Sequence, residues 1–544
     1  MLKVKYIQII ALFLLVFSFF AEAQQQQWMV YFKDKQRKDF NPHEYFDAKA
    51  IERRIRTGLP LDDPSDWPVN DTYVEEITPL VQDVLFTSRW FNSVVVEATP
   101  MQMVRVMELP FVLDAEYVEP ATLLVAGYNE YDTTMDFEQE KVLKGQLSTL
   151  GADEWHKAGM NGKGIRIAIF DVGFDHADLV PAFDHIRNEN RLIATRDFTK
   201  RGNSENVYYG NGHGTQVWSC IAGKIGDLQI GLATGAEFLL AKTEKNSEKF
   251  SEELNWLAAA EWADKNGADI INSSLGYTYK RYFNWQMDGR TSFISRAANM
   301  AARKGMLVVN AAGNEGSGKW HYVGAPADAD SVLSVGGINP STGYHTGFSS
   351  YGPTSDKRMK PNVSAYGHVT AAAPAGLTST QGTSFSSPLI AGFAACAWQT
   401  NRSLSNMQLF QQIEKSGSLY PYFDYAHGFG IPQAACFTDK NIKPADATFS
   451  VTENNDSLTI VVKSELSGSI LPELSPDIEA LTNSPTAEGI NYFYYNIMDA
   501  SGVIESYYVL NVTQSEVLII NKSDFPGGKT LNIHYAGYSL KVKL

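Results

Sequence analysis

The feature that most constrains this chain is an alternation that runs from residue 151 to about 440. Short apolar runs at Ile165–Phe170, Phe238–Lys242, Asp269–Ser273, Leu307–Ala311 and Val332–Gly336 are separated by helical stretches. Runs so short and so continuously apolar suit strands covered on both faces. Two of the helices, Glu252–Asn266 and Ser292–Lys304, stop at Gly267 and Gly305, where a left-handed cap is needed directly before the next strand. Strand, crossover helix and strand in succession imply parallel pairing, and hence a three-layer α/β/α domain around a parallel sheet.

The flanks follow other patterns. Residues 24–120 read as a small α+β domain, with strands at Trp28–Lys33, Ser93–Glu97 and Tyr117–Glu119. Helices are expected at Tyr73–Val81 and, opened by Pro100, at Met101–Leu109. Residues 121–150 are irregular and acidic, as a linker and the start of a mature chain would be. Beyond 440, strands Thr448–Thr452 and Ser457–Val462 flank Asn454, Asn455 and Asp456, while Tyr492–Met498 and Glu505–Leu510 flank a turn ending in Gly502. That is the pattern of an all-β sandwich over 441–544.

Residues 1–23 begin with Lys3 and Lys5, continue apolar from Ile7 to Phe20, and end with Ala21 and Ala23 at the positions a signal peptidase reads. The apolar run falls short of the roughly 20 residues a membrane span needs, so a secretory signal peptide is expected rather than an anchor. The protein would then be secreted or held at the cell surface. Only three cysteines occur in 544 residues, so stability must come from a core and not from a disulfide framework. Cys220 and Cys396 lie in apolar helical runs and read as buried small hydrophobes. A formal charge of −15 argues against nucleic-acid binding, which needs a basic face.

Four segments of the α/β region carry chemistry. Asp171 ends an apolar run in Asp171-Val172-Gly173. His213 follows Gly210, Asn211 and Gly212 at a helix start. Ser384 follows Gly382 and Thr383 and would cap a helix running to about Trp398, whose Ala391, Gly392, Ala394, Ala395 and Ala397 make a small-residue face suited to close burial. Asn314 lies just past a strand, where the sites of such sheets are found. Taken singly, each has a plain reading: a turn aspartate, a structural histidine or phosphate loop, an N-cap serine, a loop asparagine. The phosphate loop lacks the Lys-Ser/Thr ending of a P-loop. Asp175, His176 and Asp178 could be a metal cluster or a solvated loop, and no second ligand cluster accompanies them, so no metal is expected. His-Glu-x-x-His is absent, and Ser386 replaces the second Gly of an esterase Gly-x-Ser-x-Gly.

Acid, then histidine, then serine is the chain order of the subtilisin type of serine protease. The set resembles the subtilase family over roughly residues 140–440, in Asp171-Val172-Gly173 with Asp178, His213-Gly214-Thr215, Asn272 to Gly276, Ala312-Gly313-Asn314 and Gly382-Thr383-Ser384 with Pro388. The resemblance implies a subtilisin-like fold and a serine endopeptidase that hydrolyses peptide bonds through an acyl-enzyme. Ser384 would be the nucleophile, His213 the base and Asp171 its orienter, with Ser384 Oγ and His213 Nε2 about 2.6–3.2 Å apart. Asn314 would be the oxyanion donor, and Ser274, Leu275, Gly276 and Gly313 would bind an extended peptide. No cofactor is implied, and the short segment Lys224–Gln229, with Asp227 as its one carboxylate, does not support a calcium loop.

Three positions depart from the family pattern. Val172 stands where Thr is usual, Trp218 falls in the segment His213–Ser219, and Phe385 follows the serine where Met is common. Residues 28–120 resemble the inhibitory propeptide of subtilases, so that the chain would carry its own intramolecular inhibitor, released by cleavage between about Pro120 and Asp136. The C-terminal region resembles the sorting domain of bacterial type IX secretion, whose machinery would be a further partner. Two alternatives remain at this level: a catalytically inactive subtilase fold serving as a surface binding module, and an esterase acting on small acyl substrates.

Overall fold

The computed structural model describes residues 26–36, 39–118, 130–131, 137–202, 204–245, 252–278, 281–439, 445–462, 492–512 and 516–544. The expected signal peptide and most of the expected cleavage stretch lie outside the described residues. No helix among the described residues is long and apolar enough to cross a membrane. The described residues form two compact units: one holds those from 26 to 42 and from 61 to 118, the other those from 43 to 60 and from 130 onward.

In the first unit, strands β1 (Gln26–Phe32), β2 (Asp83–Ser88), β3 (Ser93–Ala98) and β4 (Val112–Val118) form an antiparallel sheet in the order β2-β3-β1-β4. Helices Asp71–Ile77 and Pro100–Met107 bury Tyr73, Ile77, Met103 and Val106 against Val30, Val94 and Val96. Pro100 opens the second helix as expected, behind a reciprocal Thr99–Gln102 cap. Strand β2 has no counterpart in the sequence reading, because five of its six residues are neither buried nor in clean alternation.

In the second unit, seven parallel strands lie in the order β11-β10-β9-β8-β5-β7-β6. They are β5 (Arg166–Asp171), β6 (Leu192–Asp197), β7 (Glu237–Lys242), β8 (Ile270–Ser273), β9 (Leu307–Ala311), β10 (Val332–Ile338) and β11 (Val363–Tyr366). The main helices are α1 (Ala48–Thr57), α2 (His213–Ala222), α3 (Glu252–Lys265), α4 (Phe293–Arg303) and α5 (Thr383–Thr400). Ile167, Ile169, Leu240 and Val309 share a core with Val217, Ile221, Leu389 and Phe393 of α2 and α5. On the other face, Phe170 meets Trp256 of α3, with ring centroids 5.4 Å apart. Gly267 and Gly305 have φ of +72° and +88°, the left-handed caps expected after α3 and α4.

Two features differ from the sequence reading. A helix, Phe137–Ser148, occupies part of the stretch 121–150 read as linker, and Leu143 and Leu147 join the main core. Ser384 is not the helix cap: Gly382 takes that position at φ +138°, a backbone that side-chain-bearing residues rarely adopt.

The C-terminal strands form two antiparallel sheets. One joins Phe449–Glu453, Ser457–Val462 and Glu516–Asn521; the other joins Tyr492–Met498, Ile504–Asn511, Thr530–Tyr535 and Tyr538–Lys543. Leu458 and Ile460 from the first sheet and Phe493, Ile497, Leu531 and Ile533 from the second share one core, as in a sandwich. Asn496 donates to Phe423 O at 2.6 Å, and Ile504 packs with Phe423, Tyr425 and Phe429 of the α/β region.

Candidate active site

Asp171, Ser273 and Ala311 end β5, β8 and β9, so the loops that follow open at one edge of the sheet. β5 lies between β7 and β8, where the chain crosses from one side of the first strand to the other. Ligands of open parallel sheets bind at such reversals.

His213 reaches Asp171 because α2 starts in close contact with the turn after β5. Gly214 N–H donates to Gly173 O at 3.0 Å, and a Cβ on Gly214 would sit 2.5 Å from that same oxygen. Only glycine permits this approach, which gives the His213-Gly214 pair a physical reason. Asn211 Oδ1 accepts from His213 N–H at 2.8 Å, and Thr215 Oγ1 donates to Asp175 O at 2.9 Å, fixing the first turn. His213 Nδ1 then lies 2.9 and 3.0 Å from the two Asp171 carboxylate oxygens, and Asp171 is fully buried. A second hydrogen bond to Asp171 Oδ1 comes from Val172 N–H at 2.8 Å; the valine side chain offers none.

Ser384 lies in the first turn of α5, whose N–H groups have no partner within the helix. Ser274 pins this turn: its Oγ donates to Ser384 O at 2.8 Å, while Asn272 Nδ2 donates to Ser274 Oγ at 3.1 Å and Ser387 Oγ donates to Asn272 Oδ1 at 2.9 Å. The expected approach of Ser384 Oγ to His213 Nε2 is not seen. The hydroxyl donates instead to Ser274 O at 3.3 Å, and Nε2 is buried with no hydrogen-bond partner among the described residues. A backbone carbonyl thus holds the hydroxyl proton. The next residue, Phe385, is fully buried and packs its ring 5.3 Å from the His213 imidazole.

Asn314 is oriented by a residue the sequence reading did not single out. Its Oδ1 accepts from Thr383 N–H at 2.8 Å and from Thr383 Oγ1 at 3.0 Å, while the same hydroxyl accepts from Gly313 N–H at 3.2 Å. With the amide oxygen so engaged, its NH2 group is turned away from Thr383. Ser274, Leu275, Gly276, Gly313, Asn314 and Ser384 line one cavity. A Cβ on Gly276 would meet nothing within 4 Å, so this edge is open. Glu315 lines the same cavity, and burial pushes its carboxyl above the usual range.

The remaining candidates lie apart from this cavity. His176 Nδ1 lies 3.0 Å from an Asp175 carboxylate oxygen with the imidazole exposed, and the described residues hold no group of three or more His, Cys, Asp or Glu placed to hold a metal ion. Lys224–Ile225 and Leu228–Gln229 make a small hairpin. Trp218 stacks on Phe183, centroids 3.9 Å apart, which accommodates its bulk behind His213. Cys220 and Cys396 are buried free thiols, and burial pushes the Cys220 thiol up to about 12.

Comparison with known proteins bears on both units. Residues 162–430 match the model of the subtilase family, and residues 27–132 match the model of the peptidase S8 propeptide domain of Bacteroidota. Subtilisin DY of Bacillus licheniformis is 31% identical over 294 residues, which cover 53% of this chain and 97% of that protein. Subtilisin Savinase of Lederbergia lenta is 30% identical over 275 residues, covering 50% and 90%. An alkaline protease of Alkalihalobacillus alcalophilus is 29% identical over 309 residues, covering 56% and 71%.

Proposed function

This chain belongs to the subtilase family and is a serine-type endopeptidase, and from that premise we propose that it cleaves peptide bonds through Asp171, His213 and Ser384 by way of an acyl-enzyme. The observation that carries this reading is the buried Asp171–His213 pair, whose outer nitrogen has no hydrogen-bond partner among the described residues. A proton held on Nδ1 by the carboxylate leaves Nε2 as the base. When a peptide carbonyl enters, Ser384 Oγ rotates from Ser274 O towards Nε2, loses its proton there and bonds to the carbonyl carbon. The oxyanion accepts from Asn314 Nδ2 and from Ser384 N–H, and Asp171 stabilises the imidazolium. His213 returns the proton to the leaving amine, and water hydrolyses the ester by the same steps reversed. The edge Ser274–Gly276 and Gly313 hold the extended substrate.

Acid-quenched turnover of an activated ester tests the covalent route. The acyl group should be found on the peptide that contains Ser384; turnover with that peptide unmodified would sink the covalent step. Asn314→Leu is expected to lower kcat about 10²–10³-fold with KM little changed, the loss known for such a donor in subtilisin. An unaltered kcat would remove Asn314 from the oxyanion site.

Phe385 bears on oxidation. It has no thioether to convert to the sulfoxide, so dilute peroxide should leave activity intact while inactivating Phe385→Met. Equal loss in both proteins, with the modification found beside Ser384, would contradict this.

Residues 24–120 act in this reading as an intramolecular inhibitor cleaved between about Pro120 and Asp136, after export by the signal peptide at 1–23. The C-terminal sandwich serves type IX sorting.

A further inference from the structure

We propose that the C-terminal sandwich is a functional part of the active site: Tyr492 and Tyr494 hold residues 344–351, and those residues hold Asn314 where the oxyanion forms. This rests on the proteolytic reading above and adds positioning residues to it, beyond any sorting role of the sandwich.

Asn314 is braced on both sides by residues 348–350. Ser350 N–H donates to Gly313 O at 2.9 Å, Ser350 Oγ accepts from Glu315 N–H at 3.1 Å, and Phe348 O accepts from Gly316 N–H at 2.8 Å. A Cβ on Gly316 would sit 2.2 Å from Ser349 O, so the two segments lie backbone against backbone. His321 closes the loop from its far end. Its Nδ1 donates to Gly316 O at 2.6 Å, and its N–H donates to Glu315 O at 3.1 Å. The His321 backbone has φ +67°, a left-handed geometry that is costly for a residue with a side chain and persists only when its surroundings enforce it. Tyr351 enforces it: Tyr351 N–H donates to His321 O at 3.0 Å, and the two rings stack with centroids 4.4 Å apart.

From Tyr351 the contacts run on to the sandwich. Tyr351 also packs on His345, centroids 4.2 Å apart, and His345 N–H donates to His427 Nε2 at 3.1 Å. His427 accepts there because Asp424 keeps its proton on Nδ1, which lies 3.0 and 3.1 Å from the two carboxylate oxygens. This second buried Asp–His pair differs from Asp171–His213 in that its outer nitrogen is occupied, so it is a fixed hub and not a base. Two tyrosines of the strand Tyr492–Met498 close on the hub. Tyr494 meets His427 edge-on at 5.6 Å and Tyr422 at 5.7 Å, while Tyr492 meets Tyr344, itself 4.9 Å from His427, at 5.5 Å. Successive side chains of a strand point to opposite faces. Phe493 and Ile497 enter the sandwich core, and the alternate Tyr492, Tyr494 and Asn496 meet the α/β region. The first set alone would suffice for the sandwich. Removing a ring from the second set leaves a gap into which residues 344–351, and with them Asn314, can shift.

The test reads kcat per active serine in the full processed chain, counted by fluorophosphonate titration so that misfolded protein is left out. Tyr494→Ala should lower kcat about 10-fold, less than the roughly 10²–10³-fold loss of the whole donor, with KM within about twofold. Tyr494→Phe, which keeps the ring, should match the parent. Tyr492→Ala, at a half-buried position, gives the same reading if Tyr494→Ala does not fold. In the Asn314→Leu background the same tyrosine change should cost less than about twofold more, because the group it positions is gone. A merely structural contact would lower kcat by the same factor in both backgrounds. That additivity, or an unchanged kcat in Tyr494→Ala and Tyr492→Ala, would overturn the positioning role and leave the proteolytic reading standing. A parent protein that hydrolyses no peptide would overturn both.

Discussion

Replacing Ser384 with Ala is expected to lower kcat by about 10⁶-fold, the size of loss known for such knockouts in subtilisin, with binding of a peptide inhibitor nearly unchanged. The hydroxyl is the one group that forms a bond to substrate in this account, and no neighbouring alcohol can replace it. Ser386 donates to Tyr366 O and Ser387 to Asn272, so both hydroxyls are committed elsewhere. His213→Ala should cost about as much, and the double variant should lose little more, because nucleophile and base act as one unit. The loss should be in kcat, since the cavity formed by Ser274–Gly276, Gly313 and Asn314 does not depend on the hydroxyl. Additive losses in the double variant, or a Ser384→Ala protein retaining a tenth of its activity, would mean that the two residues do not work together. The inactive binding module would then be the better account.

Asp264→Ala is expected to destabilise the second unit by about 3–5 kcal/mol, the cost of leaving buried cations without their counter-ion. α1 brings Arg53 and Arg54 to Asp264 at the end of α3, and all three are at most 1% exposed. Arg54 donates to both oxygens, at 3.0 and 2.8 Å, and Arg53 forms a further ion pair with Oδ1. Arg53 also donates to Ala268 O and, at 3.2 Å, to Lys304 O, tying the ends of α3 and α4 together. Nearby, Arg56 donates to Asp269 at 2.9 Å, and Lys49 donates to Glu237 at 3.0 Å. Replacing all three central residues by apolar ones of similar size, Arg53→Met, Arg54→Met and Asp264→Leu, should cost far less than Asp264→Ala alone. The urea midpoint, followed through tryptophan fluorescence, reads both. Equal midpoints for Asp264→Ala and the parent would show that the cluster contributes no net stability.

The same cluster shows where reading the sequence stops. α1 lies inside the span that matches the propeptide model, yet it counts with the second unit. Its arginines stand in no motif, and their partner is more than 200 positions away along the chain. The five central strands were legible because strands covered on both faces are continuous apolar runs. β6, at the sheet edge, was not: one of its six residues is buried, and Thr195, Arg196 and Asp197 break its apolar pattern.

The candidate site divides in the same way. Asp171, His213, Asn314 and Ser384 stand in short motifs at element ends, and the structure brings Asp171 to His213 and puts Asn314 and Ser384 on one cavity. The residues that hold them are less visible. Thr383 orients Asn314 from a neighbouring segment, and its only signal was its place beside Ser384. Ser274 was read as a substrate contact, and it also pins the start of α5.

The most direct test of the central claim is mass-spectrometric mapping of a fluorophosphonate adduct on the processed protein. The account expects one equivalent of label, all of it on Ser384, and none on His213→Ala, where the hydroxyl has lost its base. Labelling at another residue, or undiminished labelling of Ser384 in His213→Ala, would contradict it.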